Sequence, residues 1–400
     1  MYKSNTPKSI AIIGAGASGI FCAIKCKNNN TQVTLYEQNE KVAKKILASG
    51  NGRCNITNKH LTPSAYHSQN NSFVEYALKT YGYDDFKKDV EKIGLLLETK
   101  EDGKTYPFSN EAKSVVKILT QYALSLGVEF QTKKVESITP LLEQYSSVVI
   151  ATGSMAAPHL GGSNSAELFA QEVGHNFITP FPSLVQLHVN IPFLKKIAGV
   201  KLHAEVTLLI NGKKEHITNG DLLFTNYGLS GYTILDLSHD ASEALLNYQA
   251  VDLVLNLLPS FSAQKLSNHI LKLSKELPNF TISDILAGLL PLKIVQIMLE
   301  SLQIMPTIKG TQIETKLTKK VANHLLQWKV EVTDTHGFRH AEVAGGGLDT
   351  TQIDPKTMRS NRVSNLYFIG EALDVVGKRG GFNFAWAWAS ASVCAQHITK

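Results

Sequence analysis

The first apolar segment of the chain, Ile10 to Ile13, is a short branched run with no polar positions interleaved. A strand buried on both faces has this pattern, so the run predicts a parallel strand covered by helices. "GAGASG" follows at once, and "IFCAIKC" then predicts an apolar helix. Val33 to Tyr36 predicts a second short strand ending in Glu37. Buried runs return at Val148 to Ala151, ending in Thr152-Gly153, and at Asn365 to Ile369, ending in Gly370-Glu371. Val128 to Phe130 and Val135 predict a strand pair. The closing segment "GGFNFAWAWASASVCAQHI" predicts an apolar helix that starts on glycine.

The texture changes near Pro182. "SLVQLHV", "AEVTLLI", "HITNGDLLFT" and "VDLVLNLL" alternate or carry β-branched residues, and Asn211-Gly212 and Asn219-Gly220 are hairpin signals. An antiparallel sheet or small barrel is expected there. From Ser262 to Leu302 the period is helical in "AQKLSNHILKLSKEL", "ISDILAGLL" and "LKIVQIMLESL", with Pro259, Pro278, Pro291 and Pro306 as punctuation. The α/β texture at both ends predicts a discontinuous dinucleotide domain, 1-185 and 335-400. It is interrupted by a β-rich insert, 186-258 and 305-334, with a helical cap at 259-304.

Composition narrows the class. The 400 residues carry 40 basic and 34 acidic side chains, a formal charge of +6. Lysines pair at 44-45, 87-88, 133-134, 195-196, 213-214 and 319-320, but no run reads as a nucleic-acid arm, so no nucleic-acid partner is expected. Cysteines stand at 22, 26, 54 and 394, with neither metal spacing nor a disulfide framework. No apolar run is long enough for a leader or a membrane span, the amino-terminal "MYKSNTPKSIAIIGAG" included. Reduced thiols and a cytoplasmic location are expected, with no metal and no membrane partner.

The strand–glycine–helix–strand order gives G-x-G-x-x-G its meaning. Gly14 permits the tight turn, Gly16 lets a pyrophosphate approach the backbone, and Gly19 packs helix on strand. The helix amino terminus offers free N–H groups and a positive dipole end. Glu37, roughly 20 residues on, suits an unphosphorylated ribose, as in FAD or NAD. The strand pair at 128–135 is expected over the adenine. "AGGG" at Ala344 to Gly347 lacks the spacing of a second fingerprint, so NAD(P)H is expected only as a transient co-substrate.

Ser49 to Asn58, "SGNGRCNITN", is the least ordinary stretch. Arg53 in a glycine loop suits a phosphate or a flavin carbonyl, or pairs with Glu37 or Glu40. For Cys54 three readings stand: a thiolate activated by Arg53, a packing residue, or a backbone contact. Asn51, Asn55, Thr57 and Asn58 are natural turn and cap residues. Gly380 and Gly381 allow close backbone approach, and the helix they begin would aim its positive end at a reduced ring. Lys378 and Arg379 add positive potential, bind an acidic substrate, or line a solvated loop. His159, His175, His188, His203, His216, His336 and His340 show no metal spacing and are expected at the surface or in satisfied core. Trp386 and Trp388 face differently at i, i+2, so packing is expected of at least one, and Tyr106 with Phe108 lines a pocket or closes a hairpin.

"AIIGAGASG", "KKILASGNGRCNITN", "YPFSNEAKSVVKIL", "GDLLFTNYGLSG", "FRHAEVAGGGLD" and "LYFIGEALDVVGKRGGFNFAWAWA" occur in an order that resembles the BaiN-like, or HI-type, NAD(P)/FAD-dependent oxidoreductases, also called aminoacetone-oxidase-like. The resemblance runs nearly end to end. It implies an α/β fold: a Rossmann-like FAD domain of the two-dinucleotide-reductase type, an inserted antiparallel β-barrel-like domain and a small helical cap. It implies tightly bound FAD. By this resemblance the cofactor contacts are Gly14, Ala15, Gly16, Ala17, Ser18, Gly19, Glu37, Gln38, Lys45, Ser49, Gly50, Arg53, Cys54, Asn55, Val135, Ala151, Thr152, Gly153, Gly370, Glu371, Asp374, Gly381, Phe382 and Asn383, with Gly380 beside them. Tyr232 stands where the family has proline, and Asn226 where it has histidine; these departures bear on substrate rather than cofactor. The expected function is hydride transfer between flavin and a small or medium organic substrate, with NAD(P)H as reductant or O2 as acceptor. Lys378, Arg379 and Cys54 are the catalytic candidates. The alternatives are a non-catalytic flavin-binding protein and an FAD-dependent RNA-modifying enzyme.

Overall fold

The computed structural model describes residues 7–400; Met1 to Thr6, the start of the segment judged too short for a leader, lie outside the described residues. The chain divides into two compact units. One comprises the described residues up to Phe181 together with Glu342–Lys400, and the other Pro182–Ala341.

In the first unit, β1 (Lys8–Ile13) leads through the glycine turn into α1 (Ala17–Cys26) and back to β2 (Thr31–Glu37). β3 (Glu129–Thr132), β4 (Ser147–Ile150) and β5 (Leu366–Phe368) complete a five-stranded sheet in the order β5-β4-β1-β2-β3. Every pairing is parallel, with Ile10 beside Val33 and Ala11 beside Val148. Buried branched runs therefore form central strands, as their lack of alternation requires. The expectation at 128–135 is corrected here. Glu129–Thr132 joins β2 as an edge strand of the main sheet, and Val135 lies in the coil beyond it, so there is no separate pair.

The last helix, α2 (Phe382–Thr399), is apolar almost all round and is correspondingly buried against α1. Its tryptophans anchor it. Trp388 stacks on Phe86 (5.1 Å, 12°) and meets Phe21 edge-on (5.2 Å), while its Nε1 donates to the carbonyl of Ile56 at 2.8 Å. Trp386 donates to the carbonyl of Gly370 at 3.0 Å. Both indoles bury their rings and satisfy their N–H groups, the arrangement a buried tryptophan needs. Among the described residues no helix is long and apolar enough to cross a membrane.

In the second unit six strands close a barrel in the order Leu187–Asn190, Gly228–Ser230, Lys213–Phe224, Lys201–Ile210, Val251–Asn256 and Trp328–Thr335. Asn211-Gly212 makes its hairpin, with Ile210 paired to Lys213. Asn219-Gly220 does not. Both residues run inside Lys213–Phe224, paired to Glu205 and Ala204, and Thr233 of the helix Tyr232–Leu246 packs 3.7 Å from where a Gly220 Cβ would stand. Gly220 thus makes room for a helix rather than a turn. The helices Ala263–Glu276, Ile282–Ala287 and Leu292–Ser301 match their periodic segments. A further helix, Thr315–Leu326, lies within the stretch read as β-rich. Its buried positions, Thr318, Val321, Ala322, Leu325 and Leu326, follow helical spacing.

Candidate functional site

The glycine turn is shaped by what a side chain would strike. A Cβ on Gly19 would stand 1.8 Å from the carbonyl oxygen of Gly14, and one on Gly14 2.5 Å from that of Ala151. A Cβ on Gly16 would meet nothing within 4 Å. Two glycines therefore close the strand–helix contact, and the third leaves open space above the α1 amino end, which has no side-chain cap. Glu37 closes β2 beside this turn. It accepts from the Ala15 N–H at 3.0 Å and from the Asn39 backbone and side chain at 2.9 and 2.7 Å. At the end of β4, Ala151 leads into Thr152, whose buried Oγ1 has no hydrogen-bond partner, and Gly153 has open space where a Cβ would be.

"SGNGRCNITN" folds as a tight loop. Gly50, Asn51, Gly52 and Cys54 all have φ between 55° and 85°, in the left-handed region that non-glycine residues avoid. Strain of this kind persists only where surrounding contacts enforce it. Those contacts lead to α2. Asn58 Nδ2 donates to the carbonyl of Gly380 at 2.8 Å, and Trp388 bonds Ile56. A Cβ on Gly381 would lie 2.4 Å from the Thr57 carbonyl oxygen. The loop is thus the bracket that seats the amino end of α2, which also lacks a side-chain cap.

Cys54 is fully buried, and burial pushes its thiol up to about 11. The thiolate reading is corrected: desolvation outweighs a neighbouring guanidinium that points elsewhere. Arg53 is exposed, with its guanidinium 5.7 Å over the Tyr106 ring and its Nε donating to the Gly50 carbonyl at 3.3 Å. It forms no ion pair with Glu37 or Glu40 among the described residues. Cys54→Ser is expected to leave flavin binding and turnover unchanged within about twofold. Thiol alkylation at pH 8 should leave Cys54 unmodified in the folded protein; rapid labelling would contradict the burial argument.

Other predicted contacts fall into a second group. Lys45 Nζ pairs with Glu371 Oε2 at 2.8 Å, and Glu371 Oε1 accepts from Ser154 Oγ at 2.6 Å and the Ala344 N–H at 3.1 Å. Gly153, Ser154, Ala344 and Glu371 line a small cavity there. Asp374 is buried and accepts from the Gln69 N–H at 2.8 Å; burial raises its pKa against the hydrogen bonds that lower it. Asn383 exchanges two 2.8 Å hydrogen bonds with the Gly377 backbone, which fixes the first turn of α2. Val135 packs against the apolar core of the first unit rather than entering the polar contacts of either group. Cys22, Cys26 and Cys394 cluster in the core, with the sulfurs of Cys22 and Cys26 at 3.8 Å.

The residues present fit FAD: open space at Gly16, an orphaned Thr152 hydroxyl at the end of β4, and the amino ends of α1 and α2 without side-chain caps. A family model described as the HI0933-like protein Rossmann domain matches residues 8–397. The chain belongs to this family. With the family comes the class of chemistry, that of an FAD-dependent oxidoreductase. The chain is 34% identical to a ribosomal RNA dihydrouridine synthase of Haemophilus influenzae, over 97% of this chain and 98% of that protein. It is 32% identical to the protein of the same name from Escherichia coli, over 97% of each. It is 31% identical to a 3-dehydro-bile acid delta(4,6)-reductase of Clostridium scindens, over 95% of this chain and 96% of that protein.

Proposed function

We propose that this protein reduces a carbon–carbon double bond conjugated with a carbonyl, and that the bond is C5=C6 of a uracil base in RNA. Reduced FAD, when bound, supplies the hydride. The hydride adds at C6, the electron pair of the double bond moves toward the C4 carbonyl oxygen, and a proton is taken up at C5. NAD(P)H would be the two-electron donor that balances the reaction. The RNA and bile-acid relatives share this chemistry, because a Δ4 bond beside a 3-oxo group is polarised as the uracil C5=C6 bond is. Gly14 to Gly19, Glu37 and Thr152 would hold the adenosine and pyrophosphate portion. The amino end of α2 would face the ring, where its partial positive charge favours anionic electron density.

The substrate reading rests on a cluster of cations. The sequence spreads its basic residues and predicts no nucleic-acid arm, yet the fold brings four near one another, with Lys104 paired to Asp102. Lys104 and Tyr106 share one face of the strand Lys104–Pro107, and Arg53 lies over Tyr106. The Lys104 chain passes 3.5 Å from where a Gly380 Cβ would stand, next to Arg379 and the exposed Lys378. A guanidinium over a flat aromatic ring, with further basic residues nearby, suits a phosphate-linked base better than a neutral steroid.

The test uses ribosomal RNA from cells lacking this protein, incubated anaerobically with the FAD-loaded protein and NADH or NADPH. Nucleoside mass spectrometry should find dihydrouridine, a gain of two hydrogens. No gain in RNA alongside reduction of a steroid 4,6-dien-3-one would replace this substrate with the steroid. Lys378→Glu with Arg379→Glu is expected to lower turnover on RNA by roughly tenfold or more at low salt without loss of flavin. Unchanged turnover would remove the cations from substrate binding.

A further inference from the structure

Three of the histidines that sequence spacing left without a role, His188, His336 and His340, come together in the folded second unit. His188, on the strand Leu187–Asn190, bonds through Nε2 to His336 Nδ1 at 2.8 Å. The His336 ring lies nearly parallel to Tyr227, with centroids 3.8 Å apart and planes 6° apart. On its other side His340 stacks at 4.1 Å and 29°. Local backbone builds this pile. Gly337 has φ +76°, and its carbonyl accepts the His340 N–H at 3.1 Å, so the chain turns and folds residue 340 back over residue 336. Thr225 Oγ1 holds the opposite side by accepting from the Tyr227 and Gly228 N–H groups at 3.4 and 3.1 Å. The outermost ring, His340, is exposed, and so is the neighbouring Arg339.

Two ordinary explanations fit poorly. A core role would bury the outer ring, and His340 is not buried. A metal role would turn nitrogen lone pairs toward one point, whereas parallel rings direct theirs side by side, and the His188–His336 contact already occupies one nitrogen of each. Burial, with the adjacent His340 and His188, holds the pKa of His336 below its ordinary value, so the middle of the stack stays neutral near pH 7. What remains is a flat, open π-face, with the exposed Arg339 next to it in the chain.

We propose that Tyr227, His336 and His340 form a stacking platform for a nucleobase of single-stranded RNA, with the adjacent exposed Arg339 supplying a charge for its phosphate. The proposal rests on the RNA reading above and adds a binding site in the second unit. A planar base stacks on such a face whatever its identity, and the flanking cation supplies charge complementarity to the strand. His188 is the positioning residue, since its hydrogen bond fixes the plane of His336.

The experiment is fluorescence anisotropy of labelled oligouridylate with the FAD-loaded protein. His340→Ala should weaken binding by about five- to a hundredfold, the loss expected for one stacked base, with flavin content and melting temperature unchanged. His340→Phe, which keeps a flat ring and removes the imidazole nitrogens, should restore most of the affinity. Unchanged affinity in His340→Ala overturns the platform, as does a His340→Phe variant as weak as the alanine variant. If wild-type protein fails to bind oligouridylate yet forms dihydrouridine in ribosomal RNA, the platform is overturned and the RNA reading stands. If it does neither, both fall.

Discussion

Replacing Gly16 with valine is expected to give a folded protein that no longer retains FAD. The space above Gly16 is empty to 4 Å, and its backbone, at φ −81° and ψ −166°, is open to any residue. Valine therefore costs the fold little, within about 0.5 kcal/mol of an ordinary surface change. Its methyl groups would fill the space that a pyrophosphate needs for close backbone approach. Flavin absorbance after desalting should fall at least tenfold, while the apoprotein melts at an unchanged temperature. Gly19→Ala is the contrasting case. Its Cβ would fall 1.8 Å from the Gly14 carbonyl oxygen, so strand and helix must part and the protein should lose stability as well as flavin. If the Gly16 variant keeps its flavin, the turn does not hold the pyrophosphate.

The second large effect is expected at Gly381→Ala. The residue has φ +96°, and an added Cβ would sit 2.4 Å from the Thr57 carbonyl oxygen and 2.9 Å from Asn55 Oδ1. Backbone strain and a backbone clash act together, for a loss of about 2–4 kcal/mol. The amino end of α2 must then lift off the 49–58 loop. Melting temperature should drop by roughly 5–15 °C, and flavin retention should fall with it. Gly380→Ala is the internal control. It shares the positive φ but meets only side-chain atoms, at 3.5 Å and beyond, so its effect should be clearly smaller. Equal effects at the two positions would mean that conformational strain, not the seat on Thr57, governs this helix start.

What the sequence made legible was local. β1, the glycine turn, α1 and β2 are contiguous, so period and punctuation suffice. The apolar helix Phe382–Thr399 announces itself by its glycines and its lack of polar faces. The errors arise where distant residues decide. Asn219-Gly220 has turn chemistry, but Glu205 and Ala204 extend the strand through it and Thr233 uses the missing side chain. Thr315–Leu326 has a helical period that the lysines beside the stripe, Lys316, Lys319 and Lys320, obscure. Cys54 beside Arg53 suggests a thiolate only while its burial is unknown. The cation cluster joins residues 53, 104, 378 and 379, and the imidazole stack joins 188, 227, 336 and 340. No spacing rule links either set, because each is assembled by turns and strand pairings far apart in the chain.

The bracket between residues 49–58 and α2 also sets a timetable. β5 and α2 complete a sheet that begins at residue 8, so the first unit lacks an edge strand, its buried tryptophans and the seat for its loop until the final residues are made. At ribosomal speeds of about 5–20 residues per second, the segment up to Phe181 waits roughly 10–45 s for its completion. The barrel and its helices, contiguous in the chain, can fold during that interval. Newly made protein should therefore depend on chaperones chiefly through the segment up to Phe181. Removing the last helix should leave the first unit unable to fold, while the barrel carried on the same chain keeps its own structure.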